Sequence, residues 1–127
     1  MILVDSDVLI AHLRGQGTAR SWLEQARKRD LLAISVVTIV EITGGMRTTE
    51  RREVWRLLAS LHTESVTPRV GQRAGEFMRR YRRSHATISL GDYLIAATAD
   101  VEGMTLATLN VRHFPMFDGL EPPFGLE

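Results

Sequence analysis

Three carboxylates stand where the chain has little local reason to put them. Asp5 closes the apolar run Met1-Ile2-Leu3-Val4, Glu41 interrupts Ile39-Val40-Glu41-Ile42, and Asp92 sits just ahead of Tyr93-Leu94-Ile95-Ala96-Ala97. An ionised carboxylate in apolar surroundings is costly unless a cation or hydrogen bonds compensate it. Three such positions far apart in sequence point to acids that converge in space and need a counter-charge. Oxygen ligands with water completing the shell suit Mg²⁺ or Mn²⁺. Such an ion acidifies a bound water and neutralises charge on a phosphoryl transition state, so the chemistry is metal-assisted hydrolysis. Zinc is disfavoured, because the chain has no cysteine and His12, His62, His85 and His113 are scattered without paired spacing. Each acid also has an ordinary role open to it. Asp5 suits a helix N-cap, while Thr38 to Glu41 and Ser89 to Asp92 both have the shape of a capping box. Those roles leave the joint pattern unexplained, since all three acids are expected in the first turn of a helix that follows a strand end or loop.

The elements that must position these acids alternate between strand and helix. Ile2 to Val4 reads as a continuous buried strand. Ser6 then caps a helix that ends near Gly15 and Gly17, and a second helix is expected over 18–29. Leu31 to Val37 reads as the next strand, with a helix starting at Thr38 and stopping at Gly44-Gly45. An amphipathic helix over 49–61 places Val54, Leu57, Leu58 and Leu61 on one stripe. A short strand is expected at 64–66, then a helix from Pro68 to about Ser84. A nearly all-apolar, buried helix over 89–101 ends at Gly103 and leads to a last strand at 104–108. From Asn110 the chain reads as loop. Trp22 and Trp55 are expected in the core. The alternation predicts an α/β fold, a central, mostly parallel, twisted sheet of four to five strands flanked by helices. Sites in such sheets form at the carboxyl ends of strands, at a topological switch point.

At 127 residues the chain is expected to be one domain, 1–127. A formal net charge of +1 does not announce a nucleic-acid binder by itself, although fifteen of the sixteen basic residues are arginine, the better bidentate partner for phosphate. The lack of cysteine excludes a disulfide framework. No signal peptide or membrane-length apolar run is visible, which makes a soluble, cytoplasmic protein the expectation. Nothing rests on the terminal Leu126-Glu127.

Four segments, in order, resemble those of the PIN-domain nucleases. Met1-Ile2-Leu3-Val4-Asp5-Ser6-Asp7 resembles the opening motif, an apolar run followed by Asp, Ser or Thr, and Asn. Ser35-Val36-Val37-Thr38-Ile39-Val40-Glu41-Ile42 resembles the second motif, Asp92-Tyr93-Leu94-Ile95-Ala96-Ala97 the third, and Leu106 to Phe114 the fourth. In length the chain is most similar to the VapC-type toxins of toxin–antitoxin pairs. The resemblance implies a Mg²⁺- or Mn²⁺-dependent endoribonuclease with Asp5 and Asp92 as main metal ligands and Glu41 completing the cluster. It further implies that Ser6 orients Asp5 or contacts phosphate, that Thr108 supports the cleft by hydrogen bonding, that the protein is a homodimer, and that a cognate antitoxin blocks its cleft.

Two positions depart from the pattern. Asp7 stands where the family commonly has asparagine, and reads as a solvated acid of the first helical turn. The acid often found in the fourth motif is absent, with Asn110 and His113 in its neighbourhood; Asn110 can still ligate through its carbonyl and a protonated His113 can contact phosphate. Arg79, Arg80 and Arg83, among six arginines between Pro68 and His85, and Arg47 past the Glu41 helix are candidate contacts to an RNA backbone. Two other readings fit less of the chain. A phosphoryl-accepting receiver domain needs a late lysine, whereas Lys28 is early and is the only one. A catalytically weak PIN domain that acts by binding RNA or a partner accommodates the missing fourth acid.

Overall fold

In the computed structural model, which describes residues 1–126, four strands and six α-helices alternate along the chain. They are β1 (Ile2–Val4), α1 (Ser6–Leu13), α2 (Gly17–Arg29), β2 (Leu32–Ser35), α3 (Val36–Gly45), α4 (Arg51–Ala59), β3 (His62–Glu64), α5 (Pro68–Tyr81), α6 (Leu90–Glu102) and β4 (Thr105–Ala107). The strands form an all-parallel sheet in the order β3-β2-β1-β4, with Ile2 opposite both Leu32 and Thr105.

The two central strands, β1 and β2, are buried along their whole length because both of their faces are covered. Val4, Leu32 and Ile34 point to one face and pack with Leu9, Leu23 and Leu58 from α1, α2 and α4. Leu3, Ala33 and Leu106 point to the other, where Phe77 of α5 and Tyr93 and Ile95 of α6 cover them. The period-two alternation of β1 thus serves two cores rather than a core and a solvent face. No helix among the described residues is long and apolar enough to cross a membrane.

Several boundaries differ from the sequence expectation, and the reasons are physical. β2 stops at Ser35, whose hydroxyl accepts from the Val37 N–H at 3.0 Å and starts α3 at Val36. The β-branched run Val36 to Val40 has strand propensity, but a cap and burial of Thr38 and Ile42 make it helical. Thr38 therefore caps nothing, and Glu41 lies in the second turn of α3 rather than the first. Similarly, Asp5 rather than Ser6 is the N-cap of α1. β3 lies at 62–64 instead of 64–66, as a largely exposed edge strand with no apolar pattern to announce it. A short 3₁₀ turn at Thr48–Glu50 precedes α4, α5 ends at Tyr81, and a second 3₁₀ turn, Val111–His113, interrupts the expected loop. Trp55 is exposed rather than in the core, while Trp22 is half-buried with its ring centroid 6.2 Å from that of Phe124.

Candidate active site

From β1 the chain steps through β2 to β3 on one side, and β4 joins on the other, so the sheet's switch point lies between β1 and β4. Asp5 directly follows β1 and Thr108 directly follows β4, both at carboxyl ends. Asp5 is buried, at 5% exposure. One carboxylate oxygen accepts from the Ser6 N–H at 2.8 Å, capping α1, and the other accepts from the Thr108 hydroxyl at 2.8 Å. Burial, and then repulsion from Asp7, push the Asp5 carboxyl up to about 7 despite those hydrogen bonds.

Asp7 is not the solvated acid its place in a first turn suggested. Its Oδ2 accepts from the Leu109 N–H at 3.0 Å and lies 3.2 Å from the Thr108 hydroxyl, while its Oδ1 is buried without a hydrogen-bond partner. Burial raises its pKa as well. Nothing in the local pattern signals this, because both partners lie about a hundred residues away.

Glu41 reaches the same region from α3. Its pKa is raised by desolvation, then by the nearby Asp92 charge, with a smaller contribution from Asp7, and a hydrogen bond to the Ser6 side chain opposes the rise. Ser6 thus serves two acids, Asp5 through its N–H and Glu41 through its hydroxyl. Gly91 of α6 faces Glu41, since a Cβ there would be in ordinary contact with Val37 at 3.4 Å and with Glu41 Oε2 at 3.7 Å.

Asp92 forms the capping box expected from sequence. It accepts from the Ser89 N–H at 3.0 Å while its own N–H donates to the Ser89 hydroxyl at 3.1 Å. The same carboxylate oxygen lies 3.0 Å from His113 Nδ1, and the Asn110 side-chain amide lies 2.9 Å from that ring nitrogen. His113, held by Asn110, therefore stands beside Asp92 and ties it to the turn after β4.

Asp5, Asp7, Glu41 and Asp92 are thus brought together, and among the described residues no lysine or arginine pairs with any of them. No three acids or histidines among the described residues stand close enough to enclose an ion by themselves. A Mg²⁺-type ion needs no such cage, since it keeps several waters and takes one or two carboxylates. Asp5 and Glu41, raised by burial and by repulsion from neighbouring acids, fit a hard divalent cation chemically, and Asp7 adds a buried oxygen that lacks a donor.

The arginines divide into two groups. Arg47 lines, with Glu41, Arg14 and Ile42, a groove of about 690 Å³ between α1, α3 and α4. Arg79, Arg80 and Arg83 are exposed on and just beyond α5, with Arg80 resting 5.2 Å from the Tyr81 ring centroid. Arg73, by contrast, is held by Glu76 and Asp100, each at 2.7 Å.

The parallel sheet order and the acids gathered beside the carboxyl end of β1 define an α/β protein with a carboxylate cluster, and residues 2–119 match the PIN domain. The chain is 68% identical to Ribonuclease VapC10 of Mycobacterium tuberculosis over 126 residues, covering 99% of this chain and 95% of that protein. It is 38% identical to Ribonuclease VapC19 of the same organism over 125 residues, covering 98% and 100%. A toxin–antitoxin complex from Klebsiella pneumoniae contains a chain of the same fold, with a TM-score of 0.82, 23% identity and 98% of each chain covered. The chain belongs to the PIN-domain family, among the VapC ribonucleases.

Proposed function

We propose that this protein is the toxin of a toxin–antitoxin pair and a metal-dependent endoribonuclease that hydrolyses RNA phosphodiester bonds at the Asp5–Glu41–Asp92 cleft. The observation that carries this reading is Asp5 at the switch point with Glu41 near it, both raised by burial and by repulsion from neighbouring acids and, among the described residues, without a lysine or arginine partner. Asp5, Asp92 and Glu41 would hold Mg²⁺ or Mn²⁺, directly or through water. When bound, the ion neutralises phosphate charge and lowers the pKa of water.

The remaining work falls to the chain's own groups. Thr108 and the Ser6 N–H fix both oxygens of Asp5, so that carboxylate meets its ligand without reorganising. The Ser6 hydroxyl steadies Glu41. His113 orients Asp92 and is itself held by Asn110, and both are candidate contacts for a phosphate oxygen. Arg47, close to Glu41, and Arg79, Arg80 and Arg83 on the flank supply backbone contacts for RNA.

The names of the 68%- and 38%-identical relatives support the ribonuclease assignment, and the fold it shares with a toxin–antitoxin complex supports a cognate antitoxin as partner. A homodimer, a cytoplasmic location and a single domain over 1–127 complete the reading; two cores sharing one sheet support the last of these. The missing fourth-motif acid, with Asn110 and His113 in its neighbourhood, favours one alternative, a catalytically weak domain that acts by binding RNA or a partner. Incubating the purified protein with RNA in Mn²⁺ or in chelator separates the two: cutting only with metal supports the nuclease, and retention of RNA without cutting in either condition supports the alternative.

A further inference from the structure

We propose that Asp7 is a positioning residue that latches the turn after β4 onto the head of α1 and so holds the two halves of the cleft in register. Thr108 has one hydroxyl proton and two carboxylates within reach, Asp5 Oδ2 at 2.8 Å and Asp7 Oδ2 at 3.2 Å. The nearer acceptor takes it. Asp7 is then secured by the Leu109 N–H at 3.0 Å, a bond that spans 102 residues of sequence. The Thr108 oxygen in turn accepts from the Asn110 N–H at 3.1 Å, so residues 108, 109 and 110 are fastened in succession.

That turn leads straight into Val111–His113, whose histidine contacts Asp92. Asp5 and Asp7 lie on the same helix head, so releasing Leu109 would loosen Thr108 from Asp5 and His113 from Asp92 together. The latch requires an acceptor oxygen at position 7, not a negative charge. An asparagine keeps that oxygen and the side-chain shape; an alanine removes it. A surface acid of a first turn would be replaceable by either.

The kinetic arm of the test rests on the nuclease reading, whereas the amide-exchange arm does not. Asp7→Asn and Asp7→Ala are compared by hydrogen exchange at the Leu109 amide, by melting temperature, and by kcat and KM for RNA cleavage in Mn²⁺. Asp7→Ala is expected to speed Leu109 exchange at least about tenfold and lower kcat at least about tenfold with KM changed less than about twofold, as loss of a hydrogen bond from a partly buried backbone amide predicts. Asp7→Asn is expected to restore both to within about threefold of the wild type. Unchanged Leu109 protection in Asp7→Ala overturns the latch, and so does an Asp7→Asn variant as impaired as Asp7→Ala, which would assign the role to charge. If the wild type cuts no RNA, the exchange data still decide the latch, and only the nuclease reading fails.

Discussion

Replacing Asp5 by asparagine removes a charge while keeping a favoured N-cap for α1. Burial, and after it repulsion from Asp7, push the Asp5 carboxyl from the usual carboxylate range up to about 7. A carboxyl whose folded pKa is raised binds its proton more tightly when folded. Its contribution to stability is therefore full below the unfolded value and is lost as pH rises through the folded one. From about pH 8 to about pH 5 the metal-free wild type should gain about 3 kcal/mol relative to Asp5→Asn, at about 1.4 kcal/mol per pH unit below 7. At about pH 8 the variant should be the more stable of the two, because it carries no buried charge and relieves Asp7 of its neighbour. Urea melts of both proteins across this range, in chelator and at constant ionic strength, give the difference directly. A difference that stays flat, or a wild type that gains on the variant as pH rises, would refute the reasoning, since it would mean that the protein itself compensates a charged Asp5.

Two other perturbations probe different parts of the account. Thr108→Val, close in shape but without the hydroxyl, should cost about 1–3 kcal/mol by leaving a buried Asp5 oxygen and the Asn110 N–H without their partner. It should also push the Asp5 carboxyl further up, which denaturant melts and a pH profile of RNA cleavage would reveal as a shift to higher pH. Replacing Arg79, Arg80 and Arg83 together by alanine should weaken RNA binding and make the log–log salt dependence shallower by about 2, measured by fluorescence anisotropy at several salt concentrations; an unchanged slope would remove these residues from the RNA track.

The sequence exposed those features whose signal is local. Asp5 and Asp92 stand out because a strand end and a helix cap sit against uninterrupted apolar runs, and the capping box from Ser89 to Asp92 forms as its spacing predicts. The alternation of strands and helices likewise follows from apolar runs and from turn signals such as Gly103, which adopts the left-handed conformation at φ 66°. What could not be read locally depends on tertiary partners. Val36 and Val37 read as the end of a strand until Ser35 caps α3 ahead of them, and that shift moves Glu41 from the first turn of α3 to the second. β3 is an edge strand whose pairing with β2, not its composition, makes it a strand. Asp7 has the look of any acidic first-turn residue, and only the arrival of Leu109 and Thr108 across the sheet gives it a structural task. The exposure of Trp55 is of the same kind, because the helical stripe that contains Val54, Leu57 and Leu58 faces the core and leaves the neighbouring indole outside it.

RNA cleavage by the wild type and by Asp92→Asn, assayed side by side in Mn²⁺ and in chelator, tests the central claim most directly. Asparagine at 92 keeps an acceptor for the Ser89 N–H and so preserves the cap of α6. The expected result is metal-dependent cutting by the wild type, abolished in the variant while its melting temperature stays within a few degrees, roughly, of the wild type. Equal cutting by the two proteins in Mn²⁺, or cutting by the wild type that persists in chelator, would contradict a metal-dependent nuclease centred on this cleft.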